Sequence, residues 1–268
     1  MKNKGFTLVE LAIVLVIVGL LIGGVLQGQE LIKQAQLRNV ISTLREYDTA
    51  VNTFRAKYNN ALPGDWSQAT AFGKDTNFGD CNFSNQANAG DGDGVLESGL
   101  AGGCSGQVSF SGEMSNFFVA LSNEGLVKGS FVQGTAALSA ATTVTTSAGI
   151  PSLAVGGMMI ALSDTGNSNN LNYVLGLTSG FTPTTIIGLG ALANRVTPEN
   201  AYSLDIKMDD GTPYNGIMQH VSAYSTAGVF SEGDTEGAAT CASANGTTGV
   251  YNAGLTTNVC TIRIRASS

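Results

Sequence analysis

Histidine and cysteine are too scarce in this chain to build the common catalytic or metal centres. His220 is the only histidine, and the four cysteines include no CxxC pair. Structural zinc needs cysteine and histidine ligands at close spacing, so the spacing argues against a zinc site. The chain also has no Gly-x-Ser-x-Gly motif, no phosphate-binding loop and no paired histidine ligands. We therefore expect a protein that is not an enzyme and interpret His220 as a sheet or surface residue.

Proline is also rare, and none of the five prolines precedes Pro63. Because proline ends or kinks a helix, this absence allows one helix to run from Phe6 to about Tyr58. Residues 6–26 contain a single ionisable side chain, Glu10. At about 1.5 Å of rise per residue they reach roughly 30 Å, which is the thickness of a bilayer's hydrocarbon core. This segment is long enough to span a membrane.

The residues around the apolar run predict its orientation. Lys2 and Lys4 precede it without any acid, so the positive-inside rule places the N-terminus in the cytoplasm and exports the rest. A cleaved secretory signal peptide shares the basic start and the apolar stretch. The run here is longer, contains a carboxylate, and continues as a helical pattern instead of ending at a small-residue cleavage site. We therefore favour a membrane span.

Glu10 is the exception within this run. A lone carboxylate in a membrane span costs several kcal/mol unless it is paired or neutralised. From physics alone two interpretations remain open: Glu10 reaches the cytoplasmic interface, or it has a functional partner.

Residues 4–10, KGFTLVE, followed by an apolar helix, resemble the type III signal of type IV prepilins and pseudopilins. The resemblance implies that prepilin peptidase cuts between Gly5 and Phe6 and N-methylates the new amine of Phe6. It also implies that Glu10 pairs with the Phe6 amine of a neighbouring subunit in a filament. A subunit out of register would leave an unpaired charge at a cost of roughly 3–5 kcal/mol, so Glu10 would set the assembly register.

The resemblance implies a pilin-like α+β fold, in which a long N-terminal helix packs on an antiparallel sheet domain with loop insertions and two disulfides. The expected organisation is a leader at 1–5, a transmembrane assembly half at 6–26, an amphipathic half at 27–60 and an exported domain at 61–268. The amphipathic half has apolar residues at three-and-four spacing, so one face should pack on the exported domain. These apolar residues are Leu31, Ile32, Ala35, Val40, Ile41, Leu44, Tyr47, Ala50, Val51 and Phe54.

The net charge is −7, and removal of Lys2 and Lys4 would leave −9 on the side chains. An acidic surface repels phosphate backbones, so we do not expect a nucleic-acid partner. The clustered cations all lie on the predicted helix. They are Lys33, Arg38, Arg45, Arg55 and Lys57.

Four cysteines allow three connectivities, and an exported chain with an even number of cysteines is well explained by two disulfides. We favour the neighbouring pairs Cys81–Cys104 and Cys241–Cys260. In the family that the chain resembles, a disulfide near the C-terminus bounds an exposed loop.

The first cysteine loop contains acids alternating with glycines. Asp91, Asp93 and Glu97 offer the hard oxygen ligands that calcium prefers. The EF-hand template fails, because Ala89 and Leu100 occupy its first and twelfth positions. A calcium site and an ordinary Asp-Gly turn both remain open, with the turn favoured, and no other cofactor is expected.

Beyond these loops, local patterns predict a short helix at 113–121, strands within 129–187, a second helix at 197–207 and a C-terminal strand at 261–265. The arginines of this last strand are expected to face one side. Asp205, Asp209 and Asp210 could be catalytic acids or metal ligands, but we favour a turn with helix-terminal acids.

The resemblance points to a structural subunit of a type IV pilus-like filament, made of copies of this chain or of mixed pilins. It implies prepilin peptidase and an inner-membrane assembly platform as partners. It also implies an inner-membrane location before assembly, and an extracellular pilus or periplasmic pseudopilus afterwards. One alternative is a pseudopilin of a type II secretion or DNA-uptake system. Another is a membrane-tethered exported binding protein or enzyme.

Overall fold

The computed structural model describes residues 7–65, 94–96, 113–131, 150–155, 157–164, 170–177, 196–224, 230–232, 241–243, 249–256 and 260–267. The expected cleavage site at Gly5 and Phe6 and the Cys81–Cys104 pair lie outside these residues. So does the candidate calcium loop with Asp91, Asp93 and Glu97.

Helix α1 spans Leu8–Lys57, close to the predicted limits. It begins at Thr7, whose side chain accepts a hydrogen bond from the backbone N–H of Glu10. It ends at Tyr58, where Asn59 and Asn60 turn the chain with φ of 53° and 69°. Asparagine tolerates this left-handed conformation better than most residues, so the two asparagines explain why the helix stops before Pro63.

The two halves of α1 have different surroundings. Large apolar side chains from Leu8 to Ile32 are exposed, and burial against the domain begins only at Leu37. The expectation that Leu31, Ile32 and Ala35 belong to the packed face is therefore wrong. These three side chains are exposed although the domain contacts the same stretch of α1 through Lys33 and Gln34.

The domain contains a sheet of five strands in which every neighbouring pair is antiparallel, as predicted. The strands are β1 (Met158–Asp164), β2 (Asn170–Leu177), β3 (Met218–Tyr224), β4 (Phe230–Glu232) and β5 (Ile262–Arg265), and their order is β1-β2-β5-β3-β4. The C-terminal strand therefore lies at the centre. This position makes the end of the chain part of the core.

One face of the sheet packs on α1 together with helix α2 (Glu113–Asn123). The ring of Tyr47 lies 5.5 Å from that of Phe118 and 6.5 Å from that of Tyr173, measured between centroids. Aromatic rings in such edge and tilted arrangements add to the stabilisation from apolar burial. Tyr47 therefore connects the long helix to both α2 and the sheet.

Polar side chains are also buried within the sheet. Arg263 on β5 donates to Asp164 on β1 at 3.0 Å and to Gln219 on β3 at 2.8 Å. Arg265 is exposed, so the two arginines of this strand have different environments. His220 lies on β3, is buried, and its Nδ1 is 2.9 Å from the carbonyl oxygen of Thr261.

Candidate functional site

The N-terminal end of α1 is formed by a reciprocal pair of side chains. Glu10 Oε2 accepts hydrogen bonds from the backbone N–H of Thr7 at 2.8 Å and from the Thr7 hydroxyl at 2.9 Å. The Thr7 hydroxyl oxygen in turn accepts from the Glu10 backbone N–H at 3.3 Å. This is a capping box, which satisfies backbone donors that the first helical turn leaves unpaired. Glu10 therefore has a role in starting the helix of the single subunit.

Sequence reasoning did not identify this cap, although the Thr-x-x-Glu spacing before an apolar run is its usual signal. All the hydrogen bonds recorded for Glu10 use Oε2. Its Oε1 atom thus remains available to a cation without breaking the cap. One carboxylate can therefore cap its own helix and pair with another chain.

The apolar half of α1, which contains Glu10, has an unusually large exposed surface. Leu8 is 88% exposed, Leu20 72% and Leu31 71%. Among the described residues α1 is long and apolar enough to cross a membrane, judged by length and composition. A continuous apolar surface of this size is not stable in water and requires lipid or other protein to cover it.

The end of α1 is fixed to the domain by polar contacts. Tyr58 donates its hydroxyl to Glu124 at 2.5 Å, and Lys57 forms an ion pair with the same carboxylate. The hydrogen bond from Lys57 and, to a smaller extent, the one from Tyr58 lower the pKa of Glu124. The contact joins α1 to the turn after α2 and keeps the long helix in a defined position.

Asp205 in helix α3 (Pro198–Met208) lies close to Asp209 and Asp210, which follow the helix, with carboxylate oxygens within 4.8 Å of one another. Asp209 accepts from the backbone N–H groups of Ile217 and Met218, and Asp210 accepts from the backbone N–H of Thr212 at 2.8 Å. Since backbone donors already occupy these carboxylates, the arrangement agrees with the predicted turn.

Asp205 is buried within the same group and has a different partner. It accepts from the Tyr251 hydroxyl at 2.8 Å and from the backbone N–H of Gly211 at 3.2 Å. Burial raises the pKa of Asp205 to about 6, although these two hydrogen bonds oppose the rise. The Tyr251 contact holds the C-terminal loop against α3, and nothing in the local sequence indicated it.

The same C-terminal loop is closed covalently. Cys241 and Cys260 form a disulfide, the second of the two expected pairs. Cys260 directly precedes β5 at the centre of the sheet, and its backbone N–H donates to the carbonyl of Val196 at 3.1 Å. The disulfide, Tyr251 and α3 thus form one connected unit beside the sheet.

Comparison with known proteins identifies the N-terminal segment. Residues 1–26 match the family model described as the prokaryotic N-terminal methylation motif. This match supports the type III signal of type IV prepilins and pseudopilins, and the predicted resemblance is confirmed for this segment. The chain therefore carries the signal of a type IV pilin- or pseudopilin-type precursor. No curated protein and no solved structure matches the chain.

Proposed function

We propose that this protein is a structural subunit of a type IV pilus-like filament and polymerises through α1. The observation that carries the proposal is the prepilin-type signal at residues 1–26, continuous with a helix whose first half is exposed and whose second half is buried in a domain. This division matches a subunit that leaves half of its helix free for other molecules. A catalytic role has no comparable support.

In the proposed function, the exposed half of α1 is in contact with two environments, one before assembly and one after it. Before assembly the bilayer surrounds it, with the N-terminus in the cytoplasm and the domain exported. After assembly the same surface packs against the helices of neighbouring subunits. Transfer between these environments keeps the apolar side chains away from water throughout.

Processing creates the partner that Glu10 needs. Prepilin peptidase would cut between Gly5 and Phe6 and methylate the new amine, which is then the cation nearest to the start of α1. In the filament Glu10 would pair with the Phe6 amine of a neighbour through Oε1, while Oε2 retains its hydrogen bonds to Thr7. A charge pair in an apolar surrounding penalises any register that leaves it unpaired.

Two substitutions separate the capping role of Glu10 from its charge. Glu10→Gln keeps an oxygen that accepts from Thr7, and glutamine is compatible with a capping box, but it has no negative charge. Glu10→Ala loses both roles. Glu30→Ala is the matched control, because Glu30 is an exposed acid of the same helix whose recorded side-chain partner is Gln34.

The measurement is the intact mass and N-terminal sequence of protein sheared from cells, with immunoblots of the membrane fraction. We expect wild type and Glu30→Ala to appear in the sheared fraction as chains that begin at N-methyl-Phe6. Both Glu10 variants should be stable in membranes and absent from that fraction. Normal assembly of Glu10→Gln would show that capping alone matters.

The remaining outcomes separate the other function classes. A cleaved wild-type chain found only in membranes or periplasm would contradict a surface pilus and favour a pseudopilin. A chain that retains Met1 would contradict filament assembly altogether and favour a tethered exported protein.

A further inference from the structure

A basic groove lies between α1 and α3, close to the end of the helix that leaves the domain. Arg38, Arg45 and Lys207 line it together with Ile41 and Ser42, and its volume is about 310 Å³. Arg38 and Arg45 are seven residues apart on α1, so they lie on the same side of the helix about 10 Å apart along its axis. The groove thus gathers three cations on a chain whose net charge is −7.

The three cations of the groove have no carboxylate partner within the described residues. Lys33 pairs with Glu199 at 2.6 Å, and Arg263 pairs with Asp164 at 3.0 Å. Within the described residues no hydrogen bond or ion pair is recorded for the guanidinium of Arg38 or Arg45. Lys207 donates to the neutral amide oxygen of Gln34 at 3.0 Å. The positive charge of the groove is therefore not compensated within the subunit.

Glu46 is the matching group of opposite charge. It is exposed, and it is the one carboxylate among the side chains that the structure describes without a recorded hydrogen bond or ion pair. It follows Arg45 directly in α1, and adjacent residues of a helix point in directions about 100° apart. Glu46 forms no recorded ion pair with the cations of its own groove, although it lies at the same height along the helix.

A lipid headgroup is the competing source of negative charge, and the helix geometry disfavours it. The apolar run ends at Leu26 and is followed by the polar residues 27–30. Arg38 lies twelve residues after Leu26, which is about 18 Å along the helix axis. The headgroup layer extends only about 5–8 Å beyond the hydrocarbon core. The groove therefore lies outside the layer of lipid phosphates when α1 spans the membrane.

We propose that the groove formed by Arg38, Arg45 and Lys207 receives Glu46 of a second copy of this chain. The inference rests on the proposed filament function and specifies one of its subunit contacts. Both partners belong to every subunit, so the same contact can form between each subunit and the next along the proposed filament. It would orient neighbouring domains outside the apolar helix bundle, with complementary charges selecting the correct arrangement.

Charge exchange tests this pairing in the full-length protein. Arg38→Glu with Arg45→Glu places acids in the groove, and Glu46→Arg places a cation on the partner surface. Each of these variants should reduce sheared filaments by roughly tenfold or more, because like charges then meet at every contact. The triple variant restores opposite signs and should recover most of the filament. Lys128→Glu with Arg265→Glu is the matched control, since it makes the same change in net charge at exposed positions outside the groove.

The outcomes identify which hypothesis fails. Loss in the groove variant and in Glu46→Arg, recovery in the triple variant and little change in the control would establish the pairing. Loss without recovery, at unchanged membrane levels of processed protein, would overturn Glu46 as the occupant and favour a lipid or another protein. Wild-type assembly that none of the variants impairs would overturn the inference alone. Wild type without any filament would overturn the proposed function, and the inference with it.

Variants that fail to fold would be recognised by loss of the processed chain from membranes. A second measurement covers that case: a photo-crosslinking residue at position 42 in otherwise wild-type filaments. We expect a cross-linked dimer whose partner peptide is Glu46–Arg55, a fragment that trypsin releases after Arg45. A dimer linked through any other peptide would contradict the proposal.

Discussion

Removal of the buried charge at Asp205 should change how the stability of the domain depends on pH. Asp205 is 0% exposed, and burial raises its pKa from an ordinary 3.8 to about 6. The native state therefore holds a proton on this carboxyl between about pH 4 and 6, where the unfolded chain has released it. Stability from this group is fully present below pH 3.8 and is lost as the pH rises through about 6.

The size of this effect follows from the two pKa values. A tenfold difference in proton affinity corresponds to about 1.4 kcal/mol, so the wild type should lose about 2.4 kcal/mol through Asp205 between pH 4 and 7. For a domain of this size that equals a fall of about 5–10 °C in the unfolding midpoint. Asp205→Asn has no charge to bury, and its amide can still bond to Gly211 and Tyr251. The variant should lack this part of the pH dependence.

Thermal unfolding of both proteins in detergent micelles, followed by near-UV circular dichroism from pH 4 to 7, measures the difference. The other acids titrate alike in wild type and Asp205→Asn. The difference between their two curves of unfolding midpoint against pH therefore measures the contribution of Asp205. Tyr251→Phe adds a direct check. It removes a hydrogen bond that lowers the pKa of Asp205, so its stability should fall at a higher pH than in wild type. Parallel curves for wild type and Asp205→Asn would refute the reasoning.

Three further predictions concern stability and metal binding. Replacement of Cys241 and Cys260 by serine should lower the free energy of unfolding by about 3 kcal/mol, since the bond closes a loop with a sequence separation of 19; an unchanged urea midpoint would contradict this. Asp164→Ala should cost about 3 kcal/mol by removing a partner of the buried guanidinium, whereas addition of Arg263→Met should recover most of that loss in the same urea assay. Calcium chelation should leave the thermal midpoint unchanged, as the Asp-Gly turn predicts; a rise with calcium that Asp91→Asn abolishes would instead establish a metal site.

The long helix could be predicted because its signals are local. The apolar run and the absence of proline before Pro63 both lie within the segment itself. The Thr-x-x-Glu start is local too, but the prediction did not use it. The start of the packed face could not be predicted, because Leu31 and Leu37 belong to similar apolar patterns. Only the position of the domain along α1 decides that Leu31 is 71% exposed and Leu37 is buried.

The sheet shows the same limit. β-Branched and small residues indicated the strands before residue 187, and alternation indicated β5, but neither showed that β5 lies between β2 and β3. This placement buries Arg263 next to Asp164, residues 99 positions apart. From sequence alone, an arginine in an alternating strand is expected on the surface. Only the strand order shows that Arg263 is buried.

The charges around the groove depend on one packing contact. In the sequence, Lys33 and Arg38 both belong to the basic cluster on the predicted helix, and nothing distinguishes them. In the structure, α3 packs on α1 and brings Glu199 within 2.6 Å of Lys33. The same helix brings Lys207 to Arg38 and Arg45 instead of an acid. Docking of α3 therefore neutralises one end of the basic cluster and strengthens the other. The contact between α3 and α1 thus determines the charge that the groove presents.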